Sequence, residues 1–206
     1  MNNSIHLYSK NQIPPEYEQE NDYKKSSALS LLLCAIGDPH NLGAILRSAY
    51  YLGVDKVYTT DCSFDDGNKI FLKSSSPTTP VVSKASSGVL EVFCPLHLED
   101  SEAFLRSKKS QGWIVTGSGS EINNDNISLC NYNLTDQLVP QLASPSLRIL
   151  VIGNEGFGIP KRLGGLCDNW IGLKPGRELH PDVDSLNVSV ATALLVNTIQ
   201  QATPKI

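Results

Sequence analysis

A glycine and an arginine at helical spacing mark the first candidate functional segment, residues 41–47. Gly43 and Arg47 are four positions apart, so they lie one turn apart on the helix predicted here. Apolar neighbours would cover part of the arginine stem, and the guanidinium then offers a fixed fork of donors suited to a phosphate. Taken alone, the segment is explained slightly better by a surface arginine whose stem packs along the helix.

Residues 153–158 form a glycine-rich segment directly after the clearest predicted strand, residues 147–152. Its three glycines allow positive φ angles and a close approach of the backbone to a ligand. In parallel sheets, ligands bind beyond the carboxyl ends of the strands. Glu155 would suit a ligand with hydroxyl groups or positive charge better than a bare phosphate. A tight turn with an exposed acid explains the segment equally well.

The third segment, residues 184–191, precedes and opens the last predicted helix. Ser185 is expected to cap that helix at its N-terminus, and Asn187 would lie in the first turn, facing the strand ends. A capped helix with no ligand suffices to explain this segment when it is considered alone.

A weaker glycine signal, residues 116–121, follows another predicted strand. The dinucleotide-binding fingerprint requires a third glycine where Ile122 stands, so a nicotinamide-dependent dehydrogenase is disfavoured. The four histidines show no spacing typical of metal ligands: His6, His40, His97 and His180.

These segments need elements that bring them together, and the pattern predicts an α/β fold with a parallel sheet flanked by helices. Residues 29–36 form a continuous apolar run typical of a buried strand. Apolar residues at helical spacing follow, closed by Gly53, and residues 56–60 form a second strand. Strand, helix, strand in this order favours a parallel sheet.

Further elements are predicted along the rest of the chain. Helices are expected over residues 68–76, 79–88, 100–110, 160–167 and 186–201. Strands are expected over residues 92–98, 112–116, 147–152 and 170–173, and residues 121–146 are expected to be irregular.

The composition suits one domain of ordinary globular character. The chain has 206 residues, 40% of them hydrophobic and 18% charged, with a net charge of −4. This charge argues against a protein that coats nucleic acid non-specifically. No apolar run is long enough to span a membrane. Residues 1–27 are acidic and lack a signal-peptide core, so they are interpreted as a flexible lead-in to a domain over residues 28–206.

The cysteine pattern bears on metal binding and on the compartment. The five cysteines are scattered, and none forms a CxxC pair. A zinc site is therefore not expected. Scattered, unpaired cysteines also predict a reducing intracellular compartment.

The three segments together form an ordered set of motifs. Asn41-x-Gly43-x-x-x-Arg47, Gly153-x-Glu155-x-x-Gly158 and residues 185–191 resemble the SpoU/TrmH family of RNA ribose methyltransferases, within the SPOUT superfamily. Residues 83–91 also resemble a family stretch. The resemblance covers about residues 28–202.

The resemblance implies a fold, a cofactor and an assembly. It implies a SPOUT-type domain with a C-terminal trefoil knot and a homodimer whose active site draws on both chains. It also implies S-adenosylmethionine (SAM) bound in the knot, with RNA as the substrate and no metal or membrane involved. The cofactor-binding residues that it implies are Thr116, Gly117, Gly153, Asn154, Gly156, Leu173, Leu186 and Asn187.

The resemblance also implies the catalytic residues. Arg47 would act at the ribose hydroxyl and its phosphate, and the others would position Arg47, the ribose and the cofactor: Asn41, Glu155, Ser185 and Asn187. A guanidinium holds its proton too tightly to be a general base, so orientation of the hydroxyl is the expected role of Arg47.

The long stretch between residues 173 and 185 resembles the RlmB-like branch, the large-subunit rRNA guanosine-2′-O-methyltransferases of bacteria and mitochondria. The expected reaction is thus 2′-O-methylation of a guanosine in large-subunit rRNA, in the mitochondrial matrix or the cytoplasm. A tRNA 2′-O-methyltransferase and a non-catalytic RNA-binding assembly factor remain alternatives. Many relatives carry an N-terminal RNA-binding domain, and only about 27 residues precede the resemblance here. Either that domain is expected to be lost or truncated, or another protein is expected to deliver the RNA.

Overall fold

The computed structural model describes residues 27–65, 67, 69–119, 146–173, 175–180 and 185–202. The predicted lead-in and the predicted irregular segment lie outside the described residues, except for their last residues, 27 and 146.

A six-stranded parallel sheet forms the centre of the protein. Its strands are β1 (Ala28–Cys34), β2 (Lys56–Thr60), β5 (Leu96–Leu98), β6 (Ile114–Ser118), β7 (Leu147–Ile152) and β8 (Asn169–Ile171). They are arranged in the order β5-β2-β1-β7-β6-β8. The central strand β1 is buried along its whole length, as a strand covered on both faces must be. The predicted fold class, a parallel sheet flanked by helices, is confirmed.

Helices cover both faces of the sheet. They are α1 (Pro39–Tyr51), α2 (Pro80–Ala85), α3 (Ser101–Ser110), α4 (Lys161–Gly164) and α5 (Val188–Ala202), with a 3₁₀ turn at Val89–Glu91. On one face, Ile45 of α1 and Leu195 of α5 join the same core as Leu31 and Leu33. On the other face, Leu105 of α3 packs in a core with Leu32.

A short connection places the start of α1 at the carboxyl end of β1. The Asp38 carboxylate caps the helix by accepting a hydrogen bond from the His40 N–H at 2.9 Å. Pro39 stands at the first helical position, where its missing N–H leaves no bond unmade. Asn41 therefore lies in the first turn, at the edge of the sheet where parallel strands end.

The helix predicted over residues 68–76 is wrong. An antiparallel hairpin lies there instead, formed by β3 (Cys62–Asp65) and β4 (Ile70–Lys73). Phe64 and Phe71 are paired across it, with ring centroids 6.2 Å apart. This cross-strand contact stabilises the strand. The four residues of β4 are too few for their apolar pattern to distinguish a strand from a helix.

Other predicted boundaries shift by a few residues. The strand expected over residues 92–98 contains only Leu96–Leu98, and residues 92–95 connect it to the 3₁₀ turn without being part of either. The last helix begins at Val188, so Ser185 is not its cap. Asn187 takes that place, since its Oδ1 accepts from the Ser189 N–H at 2.9 Å. The trefoil knot stays a prediction.

Candidate functional site

A chain of side-chain hydrogen bonds connects the three segments singled out in the sequence. Asn187 Nδ2 donates to Asn41 Oδ1, and Asn41 Nδ2 donates to Glu155 Oε1, both at 3.0 Å. The side-chain amide of Asn41 thus accepts from Asn187, at the start of the last helix, and donates to Glu155, in the glycine-rich loop. The fold brings Asn41, Glu155 and Asn187 together from positions 114 and 146 residues apart in the chain.

The glycine-rich loop is held in place by Asn154. Its Nδ2 donates to the Ala35 carbonyl at 2.8 Å and contacts Glu155 Oε2 at 3.4 Å, while its Oδ1 accepts from the Gly156 N–H at 3.0 Å. Asn154 and Gly158 also exchange two backbone hydrogen bonds, at 2.8 and 2.9 Å. The Glu155 carboxylate is exposed, yet its loop is closed on itself and tied to the end of β1.

Two backbone features of this region depend on specific residues. A Cβ on Gly153 would lie 2.5 Å from the carbonyl carbon of Gly158, so only glycine permits the loop to close. Ala35, whose carbonyl receives Asn154, has a φ of 50°, a conformation that non-glycine residues rarely adopt. Such strain persists only where the surrounding contacts enforce it.

Arg47 is exposed on α1 and is oriented by a residue outside the predicted set. Its Nη1 donates to Ser87 Oγ at 2.9 Å. Ser87 has a φ of 55° and precedes Gly88, whose φ is 84°. The sequence signal for Ser87 was the family-like stretch of residues 83–91, which carries no information on which side chain it contacts.

Gly43 serves packing rather than ligand binding. A Cβ at this position would lie 2.5 Å from Ala85 Cβ and 2.9 Å from both Ser86 N and the Val82 carbonyl oxygen. The absence of a side chain therefore lets α2 approach α1 closely. The fully buried Ser86 follows α2 and bonds to the Ser83 carbonyl and the Leu90 N–H, which holds the Ser87 turn over α1.

A cavity of about 600 Å³ opens beside the Asn41–Glu155 pair, between the ends of β6 and β7 and the helix α5. Ile152, Leu173, Leu186, Ala191 and Leu195 give it apolar walls. A few polar groups, including Glu155, Arg177 and Ser185, also line it. Apolar walls with a few convergent polar groups are typical of small-molecule and cofactor sites of this size.

The predicted cofactor residues divide into two groups. Five line the cavity: Gly153, Asn154, Gly156, Leu173 and Leu186. Thr116, Gly117 and Asn187 are not among the residues that line it. Strand β6 continues to Ser118, two residues beyond its predicted end, so Thr116 and Gly117 are buried inside it. Ser118 and Gly119 line the cavity in their place.

Within the described part of the chain, no group of three or more His, Cys, Asp or Glu residues is arranged to hold a metal ion. Over the same residues, no helix has both the length and the apolar character needed to cross a membrane.

The protein is a parallel α/β domain with a cavity at the carboxyl ends of its strands, where proteins of this class bind their ligands. The family model described as the SpoU rRNA Methylase family matches residues 28–197. The chain therefore belongs to the SpoU rRNA methylase family.

Individual relatives agree with this assignment. The chain is 38% identical to human "rRNA methyltransferase 1, mitochondrial" over 83% of its own length and 45% of that protein. It is 30% identical to the Vibrio vulnificus "23S rRNA (guanosine-2′-O-)-methyltransferase RlmB", over 88% of its own length and 64% of that protein. The chain thus spans less than two thirds of the length of each.

A solved structure shows the same fold. The SpoU methyltransferase AviRb from Streptomyces viridochromogenes, crystallised with AdoMet, superimposes with a TM-score of 0.62 at 18% identity. The match covers 86% of this chain and 61% of AviRb.

Proposed function

We propose that this protein transfers a methyl group from SAM to a ribose 2′-hydroxyl of RNA, at a guanosine of large-subunit rRNA. The observation that carries the proposal is the Asn187–Asn41–Glu155 hydrogen-bond chain at the rim of the 600 Å³ cavity. Relatives named as rRNA and guanosine-2′-O-methyltransferases support the reaction and the substrate.

The cavity suits SAM by size and by chemistry. Gly153 lines the cavity, and Leu173 and Leu186 offer apolar walls to an adenosine. The Glu155 carboxylate at the rim favours a ligand that carries hydroxyl groups or positive charge. When bound, SAM supplies an electrophilic methyl group on a sulfonium.

Arg47 is assigned to the RNA rather than to the cofactor. It lies outside the cavity lining, and its guanidinium is directed by Ser87. We assign it to the phosphate next to the reacting ribose and to the orientation of the 2′-hydroxyl. Its proton is held too tightly for it to act as a base. Alignment of oxygen, methyl carbon and sulfur is expected to supply most of the rate.

The remaining predicted residues position these groups. Asn41 donates to the Glu155 carboxylate and accepts in turn from Asn187, and Asn154 holds the Glu155 loop. Ser185 lines the cavity and is assigned to the cofactor side. Thr116 and Gly117 are assigned to the support of the wall that Ser118 and Gly119 form.

A homodimer in the mitochondrial matrix is part of the same proposal. Leu186, Val190 and Leu194 are about half exposed, at 53%, 47% and 45%. Leu186 precedes α5, and Val190 and Leu194 lie one turn apart on it, so this region presents apolar surface that a second copy of the chain would cover. The human relative is named as mitochondrial. The family's trefoil knot would close around the cofactor.

Transfer of labelled methyl from SAM to large-subunit rRNA, followed by digestion to nucleosides, tests the proposal. Label in 2′-O-methylguanosine is the expected result. Label only in a parallel tRNA reaction would move the substrate to tRNA. SAM binding without transfer to either RNA would favour a non-catalytic assembly factor, and the absence of SAM binding would overturn the enzyme proposal.

A further inference from the structure

Phe157 differs from its neighbours in the glycine-rich loop. Residues 152–156 and Gly158 line the cavity, and Phe157 alone of this run does not. Its side chain instead packs against the β3–β4 hairpin, with ring centroids 5.2 Å from Phe64 and 4.9 Å from Phe71. Nevertheless 47% of its surface stays exposed, two residues from Glu155.

The Phe157 ring packs on two aromatic residues of the hairpin, Phe64 and Phe71. Phe64 is buried, Phe71 is half-buried and Phe157 is the outermost of the three. Because side chains alternate along a strand, Phe71 and Lys73 lie on the same face of β4, the face that meets Phe157. Because two neighbouring rings already restrict the Phe157 side chain, it loses little conformational entropy when a base stacks on it.

A cation accompanies the ring. Lys73 Nζ lies 5.4 Å from the Phe157 centroid and 5.9 Å from the Phe71 centroid. The side chain of Lys73 is exposed, so its ammonium can move from the ring to a phosphate without crossing protein. Proteins bind single-stranded nucleic acid with aromatic rings and cations placed side by side. The ring stacks on a base, and the cation contacts the phosphate backbone.

We propose that Phe157 and Lys73 form a stacking platform for the RNA, which receives an unpaired base next to the target nucleotide. This inference rests on the proposed function, because the platform continues the loop that carries Glu155. The base would stack on the exposed ring, and the displaced Lys73 would contact the adjoining phosphate. A nucleotide held there would limit how the neighbouring ribose approaches Glu155.

The test compares wild type with Phe157→Leu, Phe157→Trp and Lys73→Gln. Phe157→Leu keeps an apolar side chain against Phe64 and Phe71 but removes the aromatic face, and thermal unfolding checks that the fold is retained. We expect about tenfold weaker binding of a large-subunit rRNA transcript by Phe157→Leu, since base–aromatic stacking has a magnitude of this order. Phe157→Trp should bind at least as tightly as wild type. The affinity for SAM should be unchanged in all three variants.

Lys73→Gln tests the phosphate contact separately. The slope of log affinity against log salt should fall by about 0.7 relative to wild type, as expected for one lost contact to single-stranded RNA. Tyr51→Ala is the control for the loss of an exposed aromatic side chain in Phe157→Leu, because Tyr51 is an exposed aromatic residue at the C-terminal end of α1, away from the site. It should bind RNA as wild type does.

RNA affinity is measured with S-adenosylhomocysteine present, so the platform is tested even if no methyl transfer occurs. Wild-type affinity in Phe157→Leu would overturn the platform while leaving the proposed function intact. A change in self-association caused by that substitution, with RNA binding unchanged, would assign the surface to a second copy of the chain and overturn the RNA assignment.

Discussion

Arg47 and Ser87 are joined by a 2.9 Å hydrogen bond between two segments that are 40 residues apart. The guanidinium donates and the hydroxyl accepts, from a residue held at a φ of 55°. A serine in this conformation carries a cost that glycine would avoid. The turn therefore keeps a strained residue at the position where its hydroxyl orients the arginine.

Ser87→Gly separates orientation from stability. Glycine relieves the left-handed strain, so we expect the free energy of unfolding to be unchanged or up to about 1 kcal/mol higher. Methyl transfer at saturating RNA should nevertheless fall by several-fold, on the order of one lost hydrogen bond. Urea denaturation and single-turnover kinetics measure the two effects.

Ser87→Asn is the matched variant, because asparagine tolerates the same backbone conformation and offers an acceptor oxygen. It should recover part of the lost rate. If Ser87→Gly transferred methyl groups at the wild-type rate, Ser87 would have no part in positioning Arg47.

Arg47→Ala should abolish transfer while leaving SAM affinity nearly unchanged. Arg47 is exposed on α1 and does not line the cavity, so its removal leaves the cofactor walls intact. Calorimetric titration with SAM and a methyl-transfer assay on rRNA measure both quantities. Equal losses of SAM affinity and of transfer would contradict the assignment of Arg47 to the RNA.

Gly43→Ala should destabilise the protein by about 1–3 kcal/mol, the usual cost of overpacking. The added Cβ would meet Ala85 Cβ at 2.5 Å and two backbone atoms of the α2 region at 2.9 Å, so α2 must move. Gly165→Ala is the control, since its Cβ would have only ordinary contacts and its φ is −66°. Equal stability of the two variants in urea would rule out the proposed packing role of Gly43.

The Cys167 thiol should make stability depend on alkaline pH. Burial raises its pKa to about 12, and the Asp168 carboxylate adds to the effect. The folded pKa thus exceeds the ordinary value of 9.0, so the folded state holds this proton more tightly. The contribution of the Cys167 thiol to the free energy of unfolding is therefore fully present below pH 9 and is lost as the pH rises towards 12.

Cys167→Ala should show a shallower loss of stability than wild type between those pH values, measured by urea denaturation at each pH. In native wild type at pH 8, iodoacetamide should leave Cys167 unmodified, because the thiolate is the reactive form. Rapid native-state alkylation, mapped to this residue by mass spectrometry, would contradict the raised pKa.

The local pattern of the chain was enough to predict the core of the fold. The apolar runs of β1 and β7 and the period of α1 are signals carried by consecutive residues, and the structure confirms them. The order of strand, helix and strand then favoured a parallel sheet, and ligands bind beyond the carboxyl edge of such a sheet, where Asn41 and Glu155 lie. Family resemblance singled out the same segments by residue type.

The hairpin shows where local pattern failed. Four apolar or amphipathic residues from Ile70 to Lys73 fit either period, and the pairing of Phe71 with Phe64 and its contact with Phe157 decided between them. Similarly, the pairing of Gly117 and Ser118 with β8 extended β6 beyond its predicted end. This pairing displaced the cavity wall from Thr116 and Gly117 to the residues that follow.

Residue types at short, regular spacing encode the central strands, the segments that meet at the edge of the sheet and the family resemblance. Packing of the whole chain fixed three further features: the bond from Asn187 to Asn41, the bond from Arg47 to Ser87 and the contact of Phe157 with the hairpin. Each of these depends on backbone direction or on contacts between distant segments. Such contacts form only when the whole chain has packed, so no local pattern encodes them.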